Sequence, residues 1–445
     1  MSKSYFFVGI GGSGMMPLAE IVAARGDRVA GSDRSLDQGR LGSKFAGLTT
    51  QGICLHAQDG SGIVSADQIV VASAAIEATV PDIVRATELG CTRVTRAELL
   101  AELFNAAPVS IAVGGTSGKS TVTGMIGWIL DEAGRDPTIM NGAIMKNYGT
   151  GARVGAGDVF VSEVDESDGS IALYRPTVAV LNNVAVDHKS MEELRALFSG
   201  FLAAASKAVV NADNAEAAAL GTDALSFGLA SPADLRATDL VERPDGVDFT
   251  LGETPVTLAV PGRHNVSNAL AAIGAATSVG VALSDAAAAL ATFTGLKRRM
   301  DVTGTSNDIT VIDDFGHNPD KIAATLSALH AFPGRLLVFF QPHGYGPIKQ
   351  MGRELAYAFR ANLAEGDRLV ICDPAYFGGT VDRSTGSESL VEAIGDQAEH
   401  IAMRDACGDR LLALARPGDR IVVMGARDDT LSDFATGLLA SLASA

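Results

Sequence analysis

The chain has 445 residues, a length that accommodates about three domains. Lysine and arginine number 35 against 52 aspartates and glutamates, a formal net charge of −17. That balance excludes a non-specific nucleic-acid binder and a protein docked on an anionic membrane, since both need a basic face. A hydrophobic fraction of 47% supplies several cores and excludes disorder as the main state. The apolar run near the start is too short for a signal peptide. No run of about 18 uncharged apolar residues follows, so a cytoplasmic protein is expected. Cys54, Cys91, Cys372 and Cys407 are far apart and form no C-x-x-C pair. They read as small buried hydrophobes, not as a disulfide framework or a zinc site.

In chain order, residues 5–10 predict a strand ended by glycines, and residues 14–25 a helix ended by Gly26. Short strands over 28–31 and 69–72 and a helix over 82–89 complete a first unit, residues 1–107. Such alternation predicts a parallel sheet with crossover helices. A second unit, residues 108–297, opens with a strand at 109–113, a glycine-rich loop and a helix over 121–132. Strands are expected at 159–161, 178–181 and 208–210. Residues 235–260 alternate polar and apolar around Pro244-Asp245-Gly246 and read as an antiparallel excursion. Helices over 265–279 and 284–292 follow. The third unit, residues 298–445, carries strands at 309–312, 336–340, 369–372 and 421–424, with helices over 321–330, 350–363 and 387–394. The fold class is α/β, with three domains in series. The first is Rossmann-like, the central one a P-loop ATPase type with a parallel sheet, and the last a Rossmann-like α/β domain.

Two glycine clusters carry chemistry. Gly9-Ile10-Gly11-Gly12-Ser13-Gly14 follows a strand and opens a helix, the context of a phosphate-binding turn. Asp33 follows the second strand, where a ribose-binding acid sits. Alone, this pair suggests a nicotinamide dehydrogenase or a tight turn with no ligand. The second cluster, Gly114-Gly115-Thr116-Ser117-Gly118-Lys119-Ser120-Thr121, has the same strand–helix context. Its backbone N–H groups can cradle a polyphosphate, Lys119 can neutralise it, and the Ser120 hydroxyl can ligate Mg²⁺. Val113 stands where the general P-loop has its first glycine. Four acids between Glu163 and Asp168 follow a strand, and Glu163, nearest that strand, is the expected metal ligand. Asp187-His188 follows the next strand and adds His188 to the same sheet edge.

These segments together resemble the Mur ligases, the ATP-dependent amide synthetases of peptidoglycan assembly. Gly115 to Thr121 is similar to their G-T-x-G-K-[ST]-T loop, a form that lacks the first glycine. Glu163-Val164-Asp165-Glu166-Ser167 resembles E-A-D-E-S, and Gly262-Arg263-His264-Asn265-Val266-Ser267-Asn268-Ala269 resembles the adenine-contacting G-x-H-N-x-x-N-A. Further resemblances are Ala72 to Ile76, Asn141 to Lys146, Gly149 to Arg153, Leu296 to Met300, Asp313 to Pro319 and Gln341-Pro342-His343. The resemblance spans nearly the whole chain.

It implies ATP and Mg²⁺ as cofactors and small-molecule partners, a UDP-sugar acid and an amino acid or peptide. Neither nucleic acid nor membrane is expected, and the oligomeric state is not legible. The implied ATP site holds Gly115, Thr116, Ser117, Gly118, Lys119, Ser120, Thr121, His264, Asn265, Asn268 and Asp314. The implied UDP-sugar site holds Gly11, Gly12, Ser13, Gly14, Asp33, Ser73, Lys146 and Arg153. Ser120, Glu163 and His188 are the implied metal ligands, and Lys119, His188, Arg299, His317 and His343 the implied catalytic set. The implied reaction joins an amino acid, L-alanine foremost, to the carboxylate of UDP-N-acetylmuramate through an acyl phosphate, releasing ADP and phosphate.

Three departures fall in the third unit. Gly344-Tyr345-Gly346-Pro347 stands where arginines are usual, and residues 373–379 replace Y-x-A-G-E. Gly425 to Asp429 replaces a glycine-rich turn. Leu181-Asn182-Asn183 resembles the branch that recycles murein tripeptide. A recycling ligase, an orphan enzyme with another acid or amine, and a non-catalytic binder of UDP-sugar therefore stand beside the main expectation.

Overall fold

The computed structural model describes residues 2–40, 42–74, 76–185, 189–375, 382–426, 428 and 430–444. It is a mixed α/β architecture with three sheets. The first is built from β1 (Ser4–Val8), β2 (Arg28–Ser32), β3 (Cys54–His56), β4 (Gln68–Ala72) and β5 (Arg93–Thr95), in the order β3-β2-β1-β4-β5. All its pairings are parallel. Helices α1 (Met15–Ala24), α2 (Arg34–Asp37), α3 (Gly42–Thr50), α4 (Pro81–Leu89) and α5 (Arg96–Asn105) connect the strands. Side chains alternate across a strand, so β1 serves two cores. Tyr5 and Phe7 pack with Leu18, Ile21, Phe45 and Leu99, whereas Phe6 and Val8 pack with Ile63, Val70 and Ile83. The strand stops at Val8, earlier than expected, because Gly9 turns at φ +76° and its N–H reaches the Ser32 carbonyl.

The second sheet contains β6 (Val109–Gly114), β7 (Thr138–Met145), β8 (Thr150–Arg153), β9 (Val159–Glu163), β10 (Val178–Leu181), β11 (Lys207–Asn211), β12 (Leu225–Gly228), β13 (Leu235–Arg243), β14 (Gly246–Leu251) and β15 (Thr254–Leu258). Their order is β15-β14-β13-β12-β11-β10-β6-β9-β7-β8. Its helices are α6 (Lys119–Glu132), α7 (Met191–Ala203), α8 (Ala215–Leu220), α9 (Arg263–Ser278) and α10 (Leu283–Leu290). β6 lies centrally, buried along most of its length and flanked in parallel by β10 and β9. Trp128 of α6 donates its indole N–H to the Ala289 carbonyl at 3.0 Å and to Thr292 Oγ1 at 3.1 Å. Its ring meets Tyr148 edge-on at 5.7 Å.

The third sheet has the order β16 (Asp301–Ser306), β17 (Ile309–Asp314), β21 (Arg420–Gly425), β18 (Leu336–Gln341), β19 (Arg368–Ile371), β20 (Ala398–His400). Only the β16–β17 pair is antiparallel. Its helices are α11 (Pro319–His330), α12 (Tyr345–Asn362), α13 (Ser387–Ile394), α14 (Arg404–Leu414) and α15 (Leu431–Ser444). β18 is buried throughout, as its apolar run Leu336 to Phe340 requires.

The chain forms two compact units. One comprises Met1–Asp239, Phe249–Val256 and Ser267–Phe293, and the other Leu240–Asp248, Thr257–Val266 and Thr294–Ala445. Within the first unit, α5 packs against α1 and against β9. Phe104 of α5 meets Phe160 at 5.6 Å and Tyr174 at 5.1 Å. Cys372 and Cys407 are buried, as expected, but Cys54 is exposed on the edge strand β3. No helix among the described residues is long and apolar enough to cross a membrane.

Candidate nucleotide and substrate sites

The loop between β6 and α6 is shaped by two glycines in left-handed backbone, Gly115 at φ +132° and Gly118 at φ +83°. Gly118 caps α6, which therefore begins at Lys119 and not at Thr121. A methyl on Gly118 would lie 2.3 Å from Asn182 Nδ2 and 2.6 Å from Asn268 Oδ1. Lys119 Nζ donates to the Gly115 carbonyl at 2.7 Å and to Glu166 Oε2 at 2.8 Å. That ion pair is largely shielded, with 21% and 8% of the two side chains exposed. Ser120 Oγ donates to Glu163 Oε2 at 2.7 Å. Register explains the pairing: β9 runs beside β6 with Glu163 opposite Val113. Two oxygens converging on the amino end of α6 form a donor set that suits a hard cation such as Mg²⁺. His188 lies outside the described residues.

Three asparagines that sequence reasoning did not assign to the loop hold it in shape. Asn183 Oδ1 accepts from Thr116 Oγ1 and from Ser117 N, each at 2.8 Å. Asn182 Nδ2 donates to the Ser117 carbonyl at 2.9 Å and to Asn268 Oδ1 at 3.1 Å. Asn182 Oδ1 is buried and has no hydrogen-bond partner, so an acceptor remains open beside the loop. Of the adenine-type segment, Asn268 thus stands at the P-loop. Asn265 Nδ2 instead donates to the Pro261 carbonyl at 2.7 Å, and the His264 ring lies against Gly262. Burial pushes the Asp165 carboxyl up, but hydrogen bonds from Ser167 and the charges of Lys119 and Arg96 outweigh it and hold the group below its ordinary range.

The first glycine turn spans the carboxyl end of β1 and the start of α1. β2 and β4 flank β1, so Asp33 and Ser73, which follow those strands, share its sheet edge with Gly11, Gly12, Ser13 and Gly14. Asp33 Oδ2 accepts from Gly11 N at 2.9 Å and Oδ1 from Ser35 N at 2.7 Å. Asp33 therefore braces the turn. Lys146 is exposed just beyond β7. Arg153 has a different partner set from the sugar-side role expected for it. Its guanidinium pairs with Asp131 and Asp136, each at 2.7 Å, and donates to the Pro137 carbonyl at 2.8 Å.

In the compact unit that includes Thr294–Ala445 a stack runs through three of the expected residues. Arg299 lies over the Phe315 ring at 4.3 Å, Phe315 meets His317 at 5.2 Å, and His317 meets His343 at 5.0 Å. His317 Nδ1 lies 2.8 Å from the Phe315 carbonyl, a contact that makes Nδ1 the donor and leaves Nε2 an acceptor in the neutral ring. Burial, with Lys321 next, pushes its pKa down to about 3, so the ring is neutral at physiological pH. Asp314 is buried and engaged by two backbone donors and one hydroxyl: it accepts from Met300 N and Gly316 N at 2.8 Å and from Thr325 Oγ1 at 2.9 Å. Its fixed role is to clamp the turn at Met300.

A crevice of about 370 Å³ opens at the carboxyl ends of β18 and β19, lined by Gln341, Cys372, Asp373, Arg404, Asp405 and Asp428. β18 and β21 form the switch point of this sheet, the usual ligand position in open α/β sheets. Asp428 accepts from Gln341 Nε2 at 2.7 Å and from Arg404 Nη1 at 3.1 Å. Burial pushes the Cys372 thiol well up, which removes it as a nucleophile.

Three family models match the chain in order. Residues 4–107 match the Mur ligase family catalytic domain, 113–276 the Mur ligase middle domain, and 298–427 the Mur ligase glutamate ligase domain. A relative from Geotalea uraniireducens, named UDP-N-acetylmuramate–L-alanine ligase, is 36% identical over 443 residues, covering 94% of each chain. A relative of the same name from Acidithiobacillus ferrooxidans is 38% identical, covering 89% of this chain and 88% of its own. Two crystal structures share the fold at 23% identity. The UDP-N-acetylmuramate-alanine ligase of Thermotoga maritima matches 98% of both chains with a TM-score of 0.80. A murein peptide ligase of Psychrobacter arcticus matches 100% of this chain and 99% of its own with a TM-score of 0.72.

Proposed function

The chain belongs to the Mur ligase family, and from that premise we propose that it joins L-alanine to the carboxylate of UDP-N-acetylmuramate at the expense of ATP. The protein is an ATP-dependent ligase of peptidoglycan assembly. The observation that carries the reading is the P-loop with Lys119 and the facing pair of Ser120 and Glu163. The division of labour is three domains over residues 1–107, 108–297 and 298–445, for the UDP-sugar, the nucleotide and the acceptor.

The chemistry sets a charge problem. A carboxylate must attack the γ-phosphorus of ATP, and like charges repel. Backbone N–H groups of residues 115–120 and the Lys119 ammonium, moved off Glu166, offset that repulsion. Ser120 and Glu163 would hold Mg²⁺, with His188 as a further ligand; when bound, the ion draws charge from the phosphoryl oxygens. Attack breaks the bond to ADP and forms an acyl phosphate. The amine of alanine then attacks the acyl carbon, and the tetrahedral intermediate expels phosphate. Arg299 supports the anionic groups. His317 Nε2 accepts a hydrogen bond from the amine and orients it, since a group of such low pKa is a weak base. His343 lines the same path. In the crevice of the third sheet, Asp428 suits an ammonium and Arg404 a carboxylate, the two ends of a free amino acid.

A substrate panel tests this. With ATP, Mg²⁺ and UDP-N-acetylmuramate, alanine should trigger phosphate release and a product heavier by one alanine residue. Gly344 and Pro347, standing where arginines are usual, make the alanyl tripeptide the necessary second acceptor. Turnover with the tripeptide and none with alanine would replace the proposal by a recycling ligase.

A further inference from the structure

Arg298 lies just before β16 in a rare backbone state. Its φ is +60° and that of Met300 is +52°, left-handed values that cost a residue with a Cβ free energy. The turn persists because it is clamped. The Arg298 carbonyl accepts from Phe315 N at 2.8 Å, and Met300 N donates to Asp314 Oδ2 at 2.8 Å. The Arg298 side chain is only 10% exposed. A guanidinium taken out of water is costly unless its donors are well placed. Here Nη1 donates to the Asp428 carbonyl at 3.0 Å and Nη2 to the Gly425 carbonyl at 2.8 Å. The contact of Nε with Asp313 Oδ1 is longer, 3.4 Å. The guanidinium therefore serves mainly to fasten two carbonyls, a geometry that suits its planar fork and not a lysine ammonium.

The two carbonyls belong to the wall of the third-sheet crevice. Gly425 ends β21, and Asp428 lines the crevice just beyond it. The Asp428 carboxylate accepts from Gln341 and Arg404 on Oδ2 and from Thr430 N on Oδ1. An amino acid whose carboxylate draws Arg404 away leaves room at Oδ2 for its ammonium. Where that oxygen stands depends on the backbone beneath it, and Arg298 holds that backbone.

We propose that Arg298 is a positioning residue for the acceptor: by fastening the Gly425 and Asp428 carbonyls it sets where the Asp428 carboxylate meets the incoming amine. This rests on the reading of the crevice as the amino-acid site.

Two reactions of the full chain, each with ATP, Mg²⁺ and the UDP-sugar acid, separate this role from others. With alanine the amide forms. With concentrated hydroxylamine instead, its nitrogen attacks the acyl carbon and phosphate leaves, so the hydroxamate reports activation of the acid without the acceptor crevice. Arg298→Lys keeps a cation beside Asp313 but loses the fork. It should raise KM for alanine by about 10- to 100-fold, the loss expected from misplacing a charge-assisted contact. Hydroxamate formation should change by less than about twofold, since no contact made only in that transition state is removed. Its melting temperature should stay near that of the wild type. Asp313→Asn should do the reverse, lowering the melting temperature while KM for alanine stays within about twofold. Unchanged KM for alanine in Arg298→Lys overturns the assignment. So do equal falls in hydroxamate formation and alanine use, or a KM that follows melting temperature across the two variants, since either marks a merely structural arginine. A wild-type chain that forms hydroxamate but no alanyl product overturns the crevice reading and the assignment with it. One inactive in both reactions overturns the function itself.

Discussion

Replacing Glu166 by glutamine tests whether the P-loop lysine is held in reserve. Lys119 Nζ sits 2.8 Å from Glu166 Oε2. At an effective dielectric of about 20, unit charges at that distance attract by about 6 kcal/mol. Desolvation of both ions cancels much of this, so the charge of Glu166 holds the ammonium by about 1–3 kcal/mol net. Glutamine keeps a neutral hydrogen bond, and the Gly115 carbonyl at 2.7 Å still accepts from Lys119. To meet a phosphate, the ammonium must leave Glu166. Removing that charge should therefore tighten ATP binding by about 5- to 150-fold. Titration with a non-hydrolysable ATP analogue at low and high salt reads the effect, which should shrink with salt only slightly because the pair is shielded. Unchanged or weaker analogue binding in a folded Glu166→Gln variant would refute the reserve argument.

Three other variants probe the same sites. Lys119→Met should abolish ATP turnover and, by stranding the Glu166 charge, cost about 3 kcal/mol of stability; adding Glu166→Gln should restore the melting temperature but not the turnover. Gly142→Ala would place a methyl 1.9 Å from Glu163 Oε1, so it should push that carboxylate away from Ser120. The expected readout is a Mg²⁺ requirement raised by about tenfold or more in a folded protein. The third variant concerns His317, whose pKa of about 3 lies below its unfolded value of about 6.5. The unfolded chain binds the extra proton in this window, so stability is present above pH 6.5 and falls as pH drops toward 3. The loss is about 2 kcal/mol by pH 5. His317→Gln should flatten that part of the stability profile measured by thermal melts, and an unchanged slope would count against a buried neutral ring.

Local features of the sites were legible in the sequence, and long-range ones were not. Glycines, Lys119 and Ser120 lie within one turn of chain, and their spacing alone describes a phosphate loop. Glu163 could be favoured over Asp168 because it adjoins the strand, and the β6–β9 register agrees with that choice. Asp168 instead caps Ser170 N in a local turn. Asn182 and Asn183 escaped assignment because they reach the loop from far along the chain, through sheet order; Asn268 was assigned to the ATP site through the adenine-type segment, and its contact with Asn182 beside the loop was not foreseen. The partners of Arg153 depend on how β7 and β8 lie against the end of α6. The edge strands β3, β5 and β20 have three residues each, too few for an alternation to show. α5 was missed although Thr95-x-x-Glu98 advertises a capping box.

Trp128 is the only tryptophan in the chain. It lies on the helix that Lys119 opens, nine residues on, about 13 Å along the axis. Its indole N–H is fixed by Ala289 and Thr292, and Tyr148 covers one edge of its ring. The emission of the unlabelled protein therefore comes from one fluorophore on the nucleotide-bearing helix. A shift in wavelength or quenching on adding nucleotide would be an optical readout of events at the P-loop, obtained without coupling enzymes or dyes.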